Sequence, residues 1–323
     1  MKIACITPID HIDGLMTLLK SFAKVFYLPN GTKDEVIELI RKKKCDTIYA
    51  NPNMQGFVID KEILDLGIKT VCTASTGLNH IDIDYCKNKN TKVISLTTDY
   101  ETINNIPATA EHAFALTMSL IRKVPSSFDH VKSGGWDYQK FVGRQLKDLK
   151  FGVVGYGRLG KMYVKYAEAF SDHRVCICDP YLDTATFSLD EIFAECDVVS
   201  LHVHLSDETR YIINKSIFNK PLYLINTSRG DIVNENDILF ALSKGKLLGY
   251  ATDVLSDELS DVRDNLLVDV SKNVDNILIT PHIGGMTIES QHMAYTRVAN
   301  VLKETKSVKG NWFLRLWSWI KWW

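Results

Sequence analysis

Short apolar runs alternate with amphipathic stretches along most of the chain, and this alternation constrains the fold more than any other feature. The first series of runs is KIACIT, VFYL, TIYAN, TVCTAS and KVISL. The second series is FGVVG, RVCICD, DVVSLHV, LYLINTS, LLGYATDV and NILITP. Parallel strands are short and apolar because both of their faces are buried, and crossover helices must connect them. The sequence therefore predicts an α/β chain with two doubly wound parallel sheets.

A long, largely apolar segment separates the two series. It is TAEHAFALTMSLIRKV, residues 109–124, and Pro107 precedes it in a position that suits the start of a helix. We predict one helix over this segment. Because 323 residues exceed the usual size of a single hydrophobic core, we also expect two domains.

Charge and hydropathy limit the kinds of partner and the compartment. The chain has 38 Lys and Arg against 39 Asp and Glu, and a net charge of -1 provides no broad basic surface for nucleic acid. A small-molecule partner is favoured. The apolar stretch at the N-terminus stops at Pro8 and Asp10, which is too short for a signal peptide, and no run is long enough to span a membrane. We expect a cytoplasmic protein.

The seven cysteines lie mostly in apolar, strand-like surroundings and form no C-x-x-C pair. Cys176 and Cys178 have the spacing that places two side chains on one face of a strand, and no cluster of His or Cys accompanies them. We interpret the cysteines as reduced core thiols and predict no metal site.

The stretch VGYGRLG, residues 154–160, follows an apolar strand and precedes a helical pattern. In that context Gly155 allows a tight turn, Gly157 lets a pyrophosphate approach the backbone, and Gly160 lets the helix pack on the sheet. Asp179 ends the next strand, 19 residues after Gly160, where a carboxylate binds ribose hydroxyls. No Arg follows Asp179 to receive a 2′-phosphate. The pattern predicts a dinucleotide site that takes NAD.

Three further segments follow strands of the second series, where open parallel sheets place ligand chemistry. They are NTSRGDIVNE (226–235), GYATDVLSDEL (249–259) and TPHIGG (280–285). Taken singly, Arg229 reads as a surface cation, Glu258 as a solvated acid and His282 as a loop histidine. Together they supply a cation for a carboxylate, an imidazole to protonate a ketone oxygen, and an acid that keeps the imidazole charged. The set predicts reduction of a 2-keto acid.

These features resemble the D-isomer-specific 2-hydroxyacid dehydrogenase family, and its phosphoglycerate dehydrogenase-like members in particular. The matching motifs are STGLNHID (75–82), TAEHAFALTMSLIRKVP (109–125), VGYGRLG with Asp179, SLHVHL (200–205), NTSRGDIV (226–233), DVLSDE (253–258) and TPHIGG. The resemblance implies a Rossmann-type NAD-binding domain, residues 101–286, inserted in a flavodoxin-like substrate domain formed by residues 1–100 and 287–323.

The resemblance also implies roles for individual residues. Arg229, Glu258 and His282 form the catalytic set, with His282 as the general acid/base. The residues expected to contact the cofactor are Gly155, Tyr156, Gly157, Arg158, Leu159, Gly160, Asp179, Pro180, His202, Val203, His204, Thr209, Thr227, Ser228, Asp253 and Gly284. Those expected on the substrate side are Ser75, Thr76, Gly77 and Leu78, whose backbone amides hold the carboxylate, together with Asn53 or Met54 facing the substrate side chain.

The chain departs from the family pattern at two positions. His204 stands where Pro is frequent, and Leu259 follows Glu258 where Pro often follows the acid. The second departure leaves Asp257 as an alternative acid if the loop is shifted by one residue. Formate-oxidising relatives have Gln at the acid position, so Glu258 favours hydroxy-acid chemistry. We expect no regulatory amino-acid-binding domain after His282.

The resulting hypothesis is an NAD(H)-dependent D-2-hydroxyacid dehydrogenase acting on 3-phosphoglycerate or a related small acid. The alternative is an NAD-responsive scaffold, because corepressor-like members of the family keep the same three residues. We also expect a homodimer, since the family buries the helix from Thr109 and the loop through Trp136 between subunits.

The last twelve residues contain five of the six tryptophans. On a helix, Trp312, Leu316, Trp319, Ile320 and Trp323 would share one face. Two interpretations stay open for this amphipathic segment: a terminal helix docked on protein, or an interfacial helix in peripheral contact with a membrane.

Overall fold

The computed structural model describes residues 1–52, 56–183, 185–258 and 261–307. The chain divides into two compact units. The first unit contains Met1–Asn105 and the segment that begins at Ile288, and the second unit is Ile106–Thr287. The division therefore falls five residues after the expected position 100/101 and one residue after the expected position 286/287.

The first unit contains a sheet of five parallel strands. They are β1 (Lys2–Cys5), β2 (Lys24–Tyr27), β3 (Thr47–Ala50), β4 (Thr70–Thr73) and β5 (Lys92–Ile94). The strand order is β2-β1-β3-β4-β5, which is the flavodoxin-like order. Each strand overlaps one apolar run of the first series, so those five strand predictions are confirmed.

The helices of the first unit are α1 (Leu15–Phe22), α2 (Lys33–Lys43), α3 (Lys61–Leu64), α4 (Ile83–Lys89), α5 (Tyr100–Ile103) and α12 (Ile288–Ser307). The start of α2 has a capping box, in which Thr32 and Glu35 satisfy each other's backbone amides. Ile40 of α2 and Ile63 of α3 pack with Ile48 and Val71 of the sheet. Burial of these side chains fixes the helices on the strands.

The second unit contains six parallel strands, β6 (Phe151–Val154), β7 (Cys176–Cys178), β8 (Val198–Leu201), β9 (Leu222–Asn226), β10 (Leu247–Thr252) and β11 (Ile277–Ile279). Their order is β11-β10-β9-β8-β6-β7, so the direction of winding reverses between β6 and β8. In open α/β sheets, such a reversal point is where ligands bind. The second series of apolar runs is confirmed as these six strands.

The helices of the second unit are α6 (Ala108–Ile121), α7 (Val124–Lys132), α8 (Arg158–Phe170), α9 (Leu189–Glu195), α10 (Glu235–Ser243) and α11 (Leu266–Ser271). They cover both faces of the sheet. Val153 packs on one side with Leu116 of α6 and Tyr163 of α8. Val154, the next residue, packs on the other side with Phe193 of α9. This alternation is what a doubly wound sheet requires.

The prediction of a single helix over residues 109–124 is wrong at its C-terminal end. α6 stops at Ile121, Lys123 has a left-handed φ of 53°, and α7 starts at Val124. Pro125 explains the break: a continuous helix would bring its ring against the carbonyl of Ile121, and proline has no N–H to donate. Pro125 instead lies in the first turn of α7, where proline is tolerated.

The seven cysteines are unbridged, and all except Cys178 are buried. Cys176 and Cys178 contact the same hydrophobic cluster, as their spacing on one strand predicted. In the part of the chain that the structure describes, no group of three or more His, Cys, Asp or Glu side chains could hold a metal ion. Within the same ranges, no helix combines the length and the apolar character that crossing a bilayer requires.

Candidate active site

The turn between β6 and α8 has the geometry that its glycines predict. Gly155 has a φ of +91°, and a Cβ there would lie 2.7 Å from the carbonyl oxygen of His202. A Cβ on Gly160 would overlap the carbonyl oxygen of Gly155, so the first turn of α8 packs directly on the loop. Gly157 differs from both, because a Cβ there would meet no heavy atom within 4 Å. The chain thus leaves open space at the N-terminus of α8, where free amides and the helix dipole favour an anion.

Asp179, at the end of β7, lies beside this turn. Its Oδ2 accepts a hydrogen bond from the amide of Tyr156 at 2.8 Å, and its Oδ1 accepts one from the amide of Tyr181 at 3.0 Å. The carboxylate therefore fixes two loops next to the glycine turn. Pro180 is exposed between them, and Leu159 is half-buried in the first turn of α8.

Arg158 opens α8 but does not extend freely toward solvent. Its Nη1 donates to the carbonyl oxygen of Ile106 at 2.7 Å, and burial lowers the pKa of its guanidinium. This contact ties the start of α8 to the segment just before α6.

The segment after β8 packs against the same turn. His202 Nε2 lies 2.9 Å from Ser200 Oγ, and the His202 ring lies 5.1 Å from that of Tyr163. Burial lowers the pKa of His202 to about 3, so this imidazole is neutral. Val203 lies against Gly155. Further along, Thr209 Oγ1 donates to the carbonyl oxygen of His204 at 2.6 Å and holds this loop in a tight turn.

Two buried polar atoms on this side of the unit have no partner among the described residues. They are His202 Nδ1 and Thr227 Oγ1. Buried polar groups are normally hydrogen-bonded, so such atoms are candidates for contact with a ligand. With the open space at Gly157 and the carboxylate of Asp179, they fit a dinucleotide that has a pyrophosphate and a diol.

The catalytic residues predicted from the sequence lie on the loops after β9, β10 and β11. His282 Nδ1 lies 3.0 Å from Glu258 Oε2, and the His282 side chain is 46% exposed. The hydrogen bond with Glu258 raises the pKa of His282, while burial and the positive charge of Arg229 act in the opposite direction. Glu258, rather than its exposed neighbour Asp257, makes the contact. The structure thus brings Glu258 and His282 together, within electrostatic range of Arg229.

The Arg229 loop is held from beneath by buried polar contacts. Asn226 Nδ2 donates to the carbonyl oxygen of Arg229 at 2.9 Å, and Asn226 Oδ1 accepts from the amide of Ser228 at 3.0 Å. Ser228 Oγ also donates to the carbonyl oxygen of Leu201 at 2.7 Å. A Cβ on Gly230 would overlap the backbone where Leu255 joins Ser256. The loops that carry Arg229 and Glu258 therefore touch through their backbones.

Asp253 anchors the loop that carries His282. Its carboxylate, 2% exposed, accepts hydrogen bonds from the amides of Ile283 and Gly284 at 2.9 and 2.7 Å and from Thr280 Oγ1 at 2.6 Å. Burial raises the pKa of Asp253, but these bonds and His112 outweigh it and the net pKa is lowered. His282 itself has a φ of 53°, a strained conformation that the anchored flanks maintain.

Two residues that support these loops, His112 and Glu235, are not among those predicted from the sequence. His112 Nε2 lies 2.9 Å from Thr280 Oγ1 and 3.3 Å from the Asp253 carboxylate. Glu235 accepts from the amide of Ser256 and from Asn265 Nδ2, both at 2.8 Å, and so fixes the loop of Glu258. Both residues stand in quoted motifs, as the histidine of TAEHAF and the last residue of NTSRGDIVNE. A titratable side chain within a quoted motif was the available signal, but the partners of both residues lie far away in sequence.

The segment Ser75–Leu78 follows β4 in the first unit. The amide of Gly77 donates to Ser75 Oγ at 3.1 Å, and Thr97 Oγ1 donates to the carbonyl oxygen of Thr76 at 3.0 Å. The amide of Gly77 is therefore already engaged, whereas those of Thr76 and Leu78 have no acceptor within the described residues. The other predicted substrate residues, Asn53 and Met54, lie outside the described residues.

Comparison with known proteins identifies what this chain is similar to. Residues 114–284 match the D-isomer specific 2-hydroxyacid dehydrogenase, NAD binding domain. D-3-phosphoglycerate dehydrogenase of Bacillus subtilis is 34% identical over 300 residues, covering 86% of this chain and 52% of the relative. Hydroxypyruvate reductase of Thermotoga maritima is 28% identical over 285 residues, covering 84% of this chain and 88% of the relative.

Solved structures agree with these relatives. The crystal structure of D-lactate dehydrogenase from Aquifex aeolicus, complexed with NAD and lactic acid, superposes with a TM-score of 0.76 at 26% identity, covering 96% of this chain and 98% of that one. The chain spans only about half the length of the phosphoglycerate dehydrogenases that it matches. The matched domain covers more than half of the chain and binds NAD. The chain therefore belongs to the D-isomer specific 2-hydroxyacid dehydrogenase family, and NAD is its cofactor.

Proposed function

We propose that this chain catalyses reversible hydride transfer between NAD(H) and a small 2-keto or 2-hydroxy acid of the D series. The observation that carries the proposal is the 3.0 Å contact between His282 Nδ1 and Glu258 Oε2, with Arg229 close enough to affect the pKa of the imidazole. A cation, a carboxylate and an imidazole are the groups that reduction of a 2-keto acid needs from a protein.

Each of the three residues has a distinct task in this proposal. His282 bonds Glu258 through Nδ1, which leaves Nε2 to donate the proton to the ketone oxygen. Glu258 keeps the imidazole protonated and oriented. Arg229 pairs with the substrate carboxylate, for which the planar guanidinium is well suited. In the opposite direction Nε2 of a neutral His282 accepts the proton of the hydroxyl group.

NADH, when bound, supplies the hydride to the keto carbon. The chain's own residues bind and orient it: the glycine turn with Gly157 at its centre admits the pyrophosphate, and Asp179 takes the adenosine ribose. The other cofactor contacts follow the sequence prediction and line the ends of β8, β9 and β10. Thr227 Oγ1, buried and without a partner among the described residues, supports their inclusion.

We assign the second unit to the cofactor and the first unit to the substrate. The amides of Thr76 and Leu78 are proposed to hold the substrate carboxylate, because they have no acceptor in the described part of the chain. Relatives named D-3-phosphoglycerate dehydrogenase and hydroxypyruvate reductase direct the choice of test substrates toward short C3 acids and their phosphates.

We also propose that two copies of the chain associate. Large apolar side chains are exposed along α7 and the loop after it: Val124, Phe128, Val131, Trp136, Tyr138 and Val142, each at least half exposed. Several large apolar side chains exposed in one stretch of sequence are typical of a protein interface. Light scattering at micromolar concentration should give twice the chain mass of 36.6 kDa. A monomeric mass would contradict the proposal.

We propose a cytoplasmic location, supported by seven unbridged cysteines, which are typical of a reducing compartment. The Trp-rich segment lies after Ser307, outside the described residues. Its contact with a membrane remains a proposal beside docking on protein. Co-sedimentation with anionic vesicles tests it: the full chain should pellet, and a version ending at Lys309 should not. Equal behaviour of the two would exclude the membrane contact.

The activity is tested by NADH oxidation in the presence of glyoxylate, pyruvate, hydroxypyruvate or 3-phosphohydroxypyruvate, with His282→Ala as the control. We expect turnover with at least one of these acids and its loss in the variant. Tight NADH binding without oxidation by any acid would instead favour the scaffold of the same fold.

A further inference from the structure

A network of hydrogen-bonded polar side chains, buried except for the half-buried Asn51, crosses the first unit at the carboxyl ends of its strands. It runs from His80 through Thr73 and Asn51 to Tyr295 on α12 and ends at Thr7. His80 Nε2 lies 3.0 Å from Thr73 Oγ1, which donates to Asn51 Oδ1 at 3.0 Å. Asn51 Nδ2 donates to the Tyr295 hydroxyl at 2.7 Å, and that hydroxyl lies 3.4 Å from Thr7 Oγ1.

The hydrogen bonds from His80 to Tyr295 have a single direction. The Thr73 hydroxyl has one proton and gives it to Asn51 Oδ1, which can only accept. His80 must therefore donate to Thr73 through Nε2–H. Thr73 is 0% exposed and His80 2% exposed, and burial lowers the pKa of His80 to about 4. His80 is thus a neutral imidazole of defined tautomer near neutral pH, and each member of the chain orients the next.

This network of side chains joins two loops: the loop after β4, which the proposed function places at the substrate, and the loop after β3. The Thr73–His80 bond closes the segment that contains Ser75–Leu78. Asn51 begins the loop that follows β3. The far ends of the same two loops are joined by a parallel bridge between Ile59 and Ile81, in which the amide of Ile59 donates to the carbonyl oxygen of His80 at 2.9 Å. The Thr73–Asn51 hydrogen bond therefore joins the two loops before the proposed carboxylate-binding amides, and the Ile59–Ile81 bridge joins them after these amides.

The Tyr295 end of the network is anchored on α12, the long helix of this unit. Tyr49, fully buried in β3, donates its hydroxyl to the carbonyl oxygen of Tyr295 at 2.7 Å, and the two rings lie 6.1 Å apart. The Tyr295 hydroxyl is thus held at a fixed height above the strand ends. Packing on α12 can in this way set the position of Asn51 and, through Thr73, of His80.

We propose that His80, Thr73, Asn51 and Tyr295 are positioning residues that hold the Ser75–Leu78 loop in the shape that receives the substrate carboxylate. They act through the loop, not on the reacting atoms. The inference rests on the proposed function for its substrate, but the fastening of the loop is a property of the first unit alone. It separates substrate binding, which needs this network, from NADH binding, which does not.

The test compares Thr73→Val, which removes the hydroxyl at constant shape, with Thr73→Ser, which keeps it. Thr91→Val is the matched control, because Thr91 is also buried in this unit and donates to the carbonyl oxygen of Ile68 at 3.2 Å, away from the network. Tyr295→Phe breaks the chain at its other end. Each full-length variant is measured by amide hydrogen exchange of the peptide spanning residues 74–82, by NADH titration, and by steady-state kinetics.

We expect Thr73→Val to accelerate exchange in that peptide and to raise the KM for the keto acid about tenfold, with kcat and NADH affinity within about twofold of the parent. Tyr295→Phe should have a smaller effect of the same kind, Thr73→Ser should restore the parent values, and Thr91→Val should leave both readouts unchanged. If Thr73→Val leaves amide exchange in the peptide spanning residues 74–82 unchanged, the network does not hold this loop, whether or not the protein is active.

Faster exchange with an unchanged KM in an active enzyme overturns the positioning role. If Thr91→Val changed the exchange rate and the KM as much as Thr73→Val does, the effect of Thr73→Val would reflect a general loss of stability instead of a positioning role. The unmodified protein could show the expected hydrogen exchange yet fail to oxidise NADH with any of the keto acids. That result would contradict the proposed function and the substrate role of the network. It would leave the hydrogen-bonded attachment of the Ser75–Leu78 loop unaffected.

Discussion

His282 Nδ1 and Glu258 Oε2 lie 3.0 Å apart, although 24 positions separate the two residues in the sequence. The contact joins the loop after β11 to the loop after β10. It explains why the pKa of His282 is raised, and it leaves Nε2 as the nitrogen that we propose exchanges a proton with substrate.

Glu258→Gln should change the pH dependence of keto-acid reduction. Reduction needs protonated His282, so activity is present below the pKa of His282 and is lost as the pH rises through it. Because Glu258 raises that pKa, its removal should move the alkaline limb of kcat/KM to lower pH by about one unit. Asp257→Asn is the control and should leave the profile in place, since Asp257 does not contact His282; a profile that moves with Asp257 instead would reassign the acid.

Arg229→Lys should lower kcat/KM for the keto acid by about 100-fold, because an ammonium cannot form the paired hydrogen bonds of a guanidinium with a carboxylate. NADH affinity, measured by fluorescence titration, should stay within about twofold. Arg210→Lys serves as the control, since Arg210 forms an exposed ion pair with Asp231. Equal losses in both variants would argue against a substrate contact for Arg229.

Alanine substitutions at two glycines should separate cofactor binding from stability. Gly157→Ala should weaken NADH binding at least about tenfold and change the free energy of unfolding by less than about 1 kcal/mol, because its Cβ would enter space that only a ligand needs. Gly230→Ala should lower the free energy of unfolding by about 3 kcal/mol, because its Cβ would overlap backbone at Leu255. Calorimetry and NADH titration measure the two effects. Normal NADH affinity in Gly157→Ala would contradict the placement of the pyrophosphate.

Asp253 should contribute stability that depends on pH. Its folded-state pKa is lowered, so the contribution is present above the unfolded-state pKa of about 3.9 and is lost as the pH falls through the folded-state pKa. The difference in the free energy of unfolding between the parent and Asp253→Asn should therefore be constant from pH 5 to 7 and shrink below about pH 4. Urea titrations at several pH values measure it. A difference that does not change down to pH 3 would show that folding does not lower the pKa of Asp253.

The strands were predictable from sequence because a buried parallel strand is a short apolar run bounded by turns, and all eleven runs became strands. The end of α6 was not predictable from the sequence, because the helical periodicity continues past Ile121 and only Pro125 opposes it. The turn at Gly155 was readable because its φ of +91° demands glycine.

The residues that hold the site loops in place were harder to predict from the sequence. Asp253 was expected to face the cofactor, and its hydrogen bonds to Ile283 and Gly284 depend on how β10 and β11 lie side by side. His112 and Glu235 act through partners that only the tertiary fold brings near. The network from His80 to Tyr295 connects four segments of the chain, and no local pattern marks a hydrogen bond over 244 positions.

The central claim is that His282 exchanges a proton while NADH gives a hydride to the keto carbon. The most direct test is reduction of hydroxypyruvate and pyruvate with NADH that carries deuterium at both C4 positions, with analysis of the product by chiral chromatography and mass spectrometry. We predict a D-2-hydroxy acid with one deuterium at C2, and no such product from His282→Ala. An unlabelled product, an L-hydroxy acid, or equal labelling by His282→Ala would contradict the account.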